Sequence, residues 1–201
     1  MALTADVKFQ SYYSMMPDPP ELIQHIKKHH PDVEFLYPEM SFWKGIVKKF
    51  PPHRRGRWCC DIIKEKPSKK VPLIHRLLGI RAEESPNRAK RGWINKITQK
   101  RINYHPIFDW LEWEVWDYIE RYNLPYCQLY DEGFSRLGCV VCPMRAPSAE
   151  QELYRLRYPQ QFKRFERKVE QWWENGGWWR ETRRRYSMLL DEFLDNWYKG
   201  K

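Results

Sequence analysis

Leu73-Ile74-His75-Arg76-Leu77-Leu78-Gly79-Ile80 is apolar except for His75 and Arg76 and closes at Gly79. Such a run is expected of a strand buried in a parallel sheet. Upstream, residues 7–13 alternate weakly and are rich in β-formers, and residues 33–37 read as a second short strand. Between them, Asp18 followed by Pro19-Pro20-Glu21 is a helix start: a capping oxygen, prolines whose missing N–H costs nothing there, and an early acid. That helix is expected to bury Leu22, Ile23 and Ile26 before Pro31, and Ser41 to cap another that buries Phe42, Ile46 and Val47. Strands alternating with helices predict an α/β fold built on a parallel sheet.

Downstream of the strand the pattern turns helical. Val115, Trp116, Ile119 and Tyr122 share one face of a helix that begins near Asp109. Pro125, Gly133, Gly138, Pro143 and Pro147 then mark residues 123–147 as an ordered loop. Ser148 and Gln151 form a capping-box pair, Pro159 separates that helix from the next, and Gly176-Gly177 ends the second. A last helix is expected from Tyr186, Leu189, Leu190, Phe193, Leu194 and Trp197. The tryptophans of this tail fall at helical spacing, which points to packing onto the main domain. The division expected is a domain over residues 1–146 and a helical, Trp-rich extension over residues 147–201.

The chain has 201 residues and a formal charge of +10, the size of one large domain or of a domain with an appendage. Hydrophobic residues make up 42%, enough for a core, so a wholly disordered chain is excluded. No apolar run approaches the ~18–20 residues of a membrane span. Met1-Ala2-Leu3-Thr4-Ala5-Asp6 lacks the basic stretch and apolar core of a secretory leader. Five cysteines are too few for a disulfide scaffold, so the chain reads as cytoplasmic. Residues 44–101 alone hold 18 basic against 4 acidic side chains. A segment that positive calls for an anionic partner, either a polyphosphate-like small molecule or a nucleic acid.

Four cysteines form two pairs, Cys59-Cys60 and Cys139-Val140-Val141-Cys142. Two distant thiol pairs can converge on one soft-metal site. Side chains of adjacent residues diverge, which suits the separated irons of a four-iron cluster better than one tetrahedral zinc, although zinc and structural thiols remain open from spacing alone. Cys127 stands apart as a buried small side chain.

Several blocks resemble the phosphoadenosine- and adenosine-phosphosulfate reductase family. They are Arg57-Trp58-Cys59-Cys60-Asp61-Ile62-Ile63-Lys64, Gly79-Ile80-Arg81 through Ser85-Pro86-Asn87-Arg88, and His105-Pro106-Ile107-Phe108-Asp109-Trp110. Val115-Trp116, Asn123-Leu124-Pro125-Tyr126, Leu129-Tyr130-Asp131-Glu132-Gly133-Phe134, Gly138-Cys139 and Cys142-Pro143 continue the likeness in the same order. The resemblance implies a parallel sheet of the adenine-nucleotide alpha-hydrolase-like type. By its iron–sulfur branch it implies a 4Fe-4S cluster on Cys59, Cys60, Cys139 and Cys142. It also extends to relatives that load sulfur onto DNA or activate substrates with ATP. An adenine nucleotide, ATP or a sulfonucleotide, is a polyanion that needs Arg and Lys donors. Arg81 lies just past a predicted strand's C-terminal end, where open α/β sheets bind ligands. By resemblance, Lys64, Arg81 and Arg88 are the anion contacts; Glu83 and Glu84 are plain ion-pair candidates, and His105 is assigned nothing.

Two family features are missing. The Ser-Gly-Gly-x-Asp-Ser loop that cradles phosphate has no counterpart: of the nine glycines, the only adjacent pair is Gly176-Gly177, between Asn175 and Trp178. The expectation is an N-terminally truncated sheet, either from a truncated or split reading frame or with an element of another chain completing it. The late nucleophilic cysteine is missing too, since no cysteine follows Cys142. The expected function is sulfonucleotide- or ATP-dependent sulfur transfer or reduction, with reductase turnover not expected of this chain alone. The alternative is a non-catalytic nucleic-acid-binding or complex-assembly module with a structural cluster.

Overall fold

The computed structural model describes residues 10–98, 101–145, 148–176 and 189–200. The chain forms two compact units, one of residues 1–70 and 127–201, the other of residues 71–126.

In the first unit β1 (Tyr12–Ser14) and β2 (Glu34–Leu36) pair in parallel, with Tyr13 opposite Phe35. They are joined by α1 (Pro20–His29), which has Glu21 in its first turn and Lys27, Lys28 and His29 in its last, complementing the helix dipole. The expected Asp18 cap does not form. The N-cap is Pro19, and the Asp18 carboxylate accepts the Tyr13 hydroxyl proton at 2.7 Å instead. Nor is Leu22, Ile23 or Ile26 fully buried; Leu22 packs against the core from its edge. Ser41 behaves as expected, its Oγ accepting the Lys44 N–H at 3.3 Å at the start of α2 (Phe42–Lys48).

Phe42 and Ile46 of α2 enter the core, and Gly45 leaves the space that the Trp58 ring occupies. A Cβ at Gly45 would overlap that ring. Gly45→Ala is therefore expected to destabilise the fold by about 1–3 kcal/mol, the usual cost of overpacking, despite alanine's better helix propensity. Urea unfolding measures this; an unchanged midpoint would show that Trp58 has somewhere else to go.

The chain then passes through Trp58 into a π-helical turn, Cys60–Glu65, and a short α3 (Lys66–Lys69). The sequence pattern did not announce the π turn, and such turns recur at functional sites. The C-terminal helices are α6 (Ala149–Arg157), α7 (Pro159–Glu174) and α8 (Leu190–Tyr198). Ser148 Oγ accepts the Gln151 N–H at 3.1 Å, Pro159 opens α7, and Gly176 follows its end at φ +72°. Tyr186 and Gly177 lie outside the described residues. The core joins Tyr154, Phe162, Phe165, Val169 and Trp197 of these helices to Ile46, Ile63, Leu129, Val140 and Val141. Trp172 and Trp197 of this extension are buried, while Trp178 and Trp179 lie outside the described residues. Trp172 donates to the Lys49 carbonyl at 3.0 Å, Trp58 to Phe50 at 2.9 Å and Trp197 to Pro52 at 2.6 Å.

The second unit contains a three-stranded sheet in the order β3 (His75–Leu77), β5 (Arg101–Tyr104), β4 (Ile94–Thr98). β3 runs parallel to β5, as the opening octapeptide predicts, but β4 is antiparallel to β5, so this sheet is mixed. The expected burial also fails: β3 is an edge strand, and Ile74 and Leu77 are 49% and 57% exposed. A 3-10 turn (Ala82–Glu84) and a short α4 (Pro86–Ala89) lie between β3 and β4. After β5 comes α5 (Glu112–Arg121), whose N-cap position is Leu111, not Asp109; the Glu114 carboxylate accepts the Leu111 N–H at 2.7 Å. No helix among the described residues is long and apolar enough to cross a membrane.

Candidate functional site

Both cysteine pairs lie in the first unit, close enough to act on one another electrostatically. Cys59 is buried at the end of the segment led in by Trp58, and Cys60 opens the π turn. Cys139 and Cys142 lie on the loop that follows Gly138, on either side of the fully buried Val140 and Val141, and Cys142 leads into the 3-10 turn Pro143–Arg145. That loop is tied to the segment before α1, because the Val140 N–H donates to the Pro17 carbonyl at 2.8 Å.

Electrostatics show that the four thiols share one neighbourhood. The Cys59 thiol donates to the Cys60 sulfur, which holds the Cys59 proton on, and burial and the charges of Cys60, Cys139 and Cys142 push the same way. Cys60 is shifted the other way. The hydrogen bond from Cys59 draws its pKa down to about 6 against the opposing effect of burial, with help from Arg57 and Lys64. Burial raises Cys139, as do Asp18, Cys142 and Cys60, while Lys64 lowers it. All four cysteines are free thiols. Among the described residues no group of three or more His, Cys, Asp or Glu side chains is posed to hold a metal ion. The donor set is nevertheless four soft sulfurs with exposed Lys64 within electrostatic reach, a chemistry that matches iron–sulfur or zinc and not a hard cation.

Of the predicted site residues, Cys59, Cys60, Cys139, Cys142 and Lys64 are thus brought together. Arg81 and Arg88 belong to the second unit, on the 3-10 turn and α4. Both carry acidic partners from that same turn. Arg81 Nη1 meets Glu83 at 2.8 Å with its side chain 15% exposed, and Arg88 pairs with Glu84. Glu83 also accepts the Glu112 N–H at 2.8 Å, so one carboxylate fixes Arg81 and the start of α5 together. Cys127 is buried, 3% exposed, and belongs to the hydrophobic core. His105 is buried, its Nδ1 donating to the Gly92 carbonyl at 2.6 Å.

Three residues near the thiols escaped the sequence reading. Asp18 raises Cys139 and is itself pushed up by burial, opposed first by its hydrogen bond from Tyr13 and then by Lys64. Arg145 grips the backbone of the C-x-x-C loop, donating from Nη1 to the Cys139 carbonyl at 2.9 Å. Asp18 beside two prolines reads as a cap, and nothing local reveals that Tyr13 claims its carboxylate.

The first unit thus presents two thiol pairs with Lys64 within electrostatic reach of Cys60 and Cys139. Residues 13–145 match the phosphoadenosine phosphosulfate reductase domain, and the chain belongs to that family. It is 33% identical over 147 residues to an adenosine 5'-phosphosulfate reductase of Staphylococcus haemolyticus, an overlap covering 70% of this chain and 58% of that one. It is 40% identical over 111 residues to an uncharacterised protein of Methanocaldococcus jannaschii, covering 51% of this chain and 23% of the other. This chain thus spans only part of the length of these relatives. A phosphoadenylyl-sulfate reductase from Candida auris, solved as a phosphate complex, aligns over 63% of this chain and 67% of its own with 17% identity and a TM-score of 0.47.

Proposed function

We propose that this chain handles an adenine nucleotide and holds a four-iron cluster, in sulfonucleotide- or ATP-dependent sulfur transfer or reduction. The observation that carries the reading is the gathering of Cys59, Cys60, Cys139, Cys142 and Lys64 in one electrostatic neighbourhood. Four thiolates with no histidine among them suit a 4Fe-4S cluster, and the diverging adjacent pair favours it over zinc. When bound, such a cluster supplies an anionic, redox-capable centre whose properties follow its burial and hydrogen bonds. The rest is the work of the chain's own side chains. Lys64 supplies positive charge at Cys60 and Cys139. Arg81, held by Glu83, and Arg88, held by Glu84, are the donors assigned to the nucleotide's phosphate or sulfate. Oxidoreductase or sulfurtransferase activity is the family's chemistry and belongs, on this reading, to the completed site.

Residues 1–146 form the reductase-like part in this reading, and residues 147–201 a helical extension packed on it. The shared core of α6, α7 and α8 with Ile46, Ile63 and Val140 supports the second half of that statement. A partner polypeptide supplying a glycine-rich phosphate loop is part of the same reading. Among the described residues β1 and β3 each lie at an edge of their sheet, where a further strand can pair. A cytoplasmic setting suits five reduced cysteines.

The test is nucleotide binding by calorimetry. Arg81→Ala is expected to weaken ATP or sulfonucleotide binding by about 1.5–3 kcal/mol, the scale of a charged hydrogen bond. Charge reversal at Lys28, in the last turn of α1, is expected to change little. Equal losses from both, together with salt-sensitive DNA or RNA binding, would favour the nucleic-acid module instead.

A further inference from the structure

Arg145 is tied down on every side. Its Nη1 donates to the Cys139 carbonyl at 2.9 Å and to the Val140 carbonyl at 3.3 Å. Its Nε faces Glu150 at 3.5 Å, and its guanidinium lies over the Tyr154 ring at 3.6 Å. Only 9% of the side chain is exposed. The two residues that clamp it hold the other end of the same loop as well. Glu150 accepts from Ser135 Oγ at 3.3 Å and from the Arg136 N–H at 3.1 Å, and the Tyr154 hydroxyl donates to the Arg136 carbonyl at 3.0 Å. Ser148, the cap of α6, donates from Oγ to the Arg145 carbonyl at 2.6 Å. One helix start therefore grips residues 135–145 at both ends, with Arg145 the only member that touches the Cys139 and Val140 carbonyls.

We propose that Arg145 is a positioning residue for the C-x-x-C turn: it fixes the Cys139–Val140 backbone in the ligand-presenting conformation and sets a permanent positive charge beside it. The chemistry requires arginine. The planar guanidinium spans two carbonyls, a carboxylate and an aromatic face at once, whereas a lysine ammonium offers a point charge without the fork or the stacking surface. Without it, the Val140 carbonyl, on a residue only 1% exposed, is left without this donor. The charge has a second consequence. A cluster on four thiolates becomes more negative on reduction, so a fixed cation nearby favours the reduced form. This part rests on the proposed four-thiol metal centre; the backbone part does not.

Two measurements separate the parts. Hydrogen exchange of the amides of residues 138–142 is followed by mass spectrometry in metal-free protein, beside circular dichroism as a check of folding. Arg145→Met is expected to speed exchange there on the order of tenfold, the loss of about one charged hydrogen bond, with little change in α7. Arg145→Lys is expected to exchange nearly as fast as the Met variant, because the fork is gone. In protein reconstituted with iron and sulfide, the Met variant is expected to show a more negative midpoint potential and the Lys variant a potential near wild type. A backbone brace alone would not produce that split. Should Arg145→Met fail to fold, Glu150→Gln removes the guanidinium's carboxylate partner at nearly constant volume and is expected to loosen the same amides. Unchanged exchange in a folded Arg145→Met or Glu150→Gln protein overturns the positioning role. Equal potentials in the Met and Lys variants overturn the charge role. If wild type takes up no cluster while the exchange result holds, the metal reading falls and the brace stands.

Discussion

Cys59→Ser and Cys142→Ser proteins, purified without oxygen, are expected to lose their iron and their brown colour, while Cys127→Ser keeps both. The contrast follows from where the sulfurs are. Cys59 lies within electrostatic reach of Cys60, Cys139 and Cys142, whereas the influences on Cys127 are burial, the Leu129 backbone, Glu21 and Glu132. A serine hydroxyl is a hard donor that does not ionise near neutral pH, so one replacement leaves a cluster with three thiolate ligands and an iron open to solvent. Cys127 is 3% exposed and packs in the core, so its replacement is expected to cost stability alone. Iron and acid-labile sulfide assays read the outcome. Loss of iron from Cys127→Ser equal to that from Cys59→Ser would mean that the ligand set is misassigned.

The second large effect concerns the tryptophans. Trp197→Ala is expected to destabilise the chain by about 3–5 kcal/mol, the range for removing a buried aromatic ring. Trp197 is 4% exposed, lies 4.4 Å from the Phe165 ring centre and donates to the Pro52 carbonyl. Pro51 and Pro52 have no N–H of their own and are buried, so the carbonyls around them depend on side-chain donors. Trp172, Trp58 and Trp197 supply three, to Lys49, Phe50 and Pro52. Trp197→Phe keeps most of the ring volume and is expected to cost only about 1–2 kcal/mol, the hydrogen bond and its orphaned carbonyl. Denaturant unfolding distinguishes the two variants. Because the braced segment runs directly into Trp58 and Cys59, metal uptake is expected to fall with Trp197→Ala as well. A variant as stable as wild type would show that α8 is dispensable to this unit.

How much of this was written in the sequence varies with the range of the interactions involved. Ser41, Ser148, Pro159 and Gly176 act through neighbours three or four residues away, and all four do what local chemistry says they should. The octapeptide at residues 73–80 gives the direction of β3 correctly but not its burial, because apolar content marks a strand without saying whether both edges and faces are covered. β4 was invisible for the opposite reason. Ile94-Asn95-Lys96-Ile97-Thr98 is largely exposed, so no buried face imposes alternation, and its pairing with β5 decides its shape. Asp18 is a case of competition: a nearby phenol outbids the helix N-terminus for its carboxylate.

The candidate site divides in the same way. Cysteine spacing singled out Cys59-Cys60 and Cys139–Cys142 as pairs, but by itself left cluster, zinc and structural thiols open. The ion pairing of Arg81 with Glu83 and of Arg88 with Glu84 was legible as a possibility, because the partners are two and four residues apart. What holds the thiols was not legible. Arg145 stacks on Tyr154, and Trp172 reaches back to Lys49, over separations that no local pattern encodes. Most of the function-bearing residue types were therefore readable, and most of the bracing around them was not.

The proposed four-iron cluster on Cys59, Cys60, Cys139 and Cys142 is tested by metal and sulfide analysis with Mössbauer spectroscopy on wild-type protein purified without oxygen. About four irons and four sulfides per chain are expected, with a spectrum of delocalised iron in a cubane-type cluster. One zinc per chain, with neither iron nor sulfide, would contradict it.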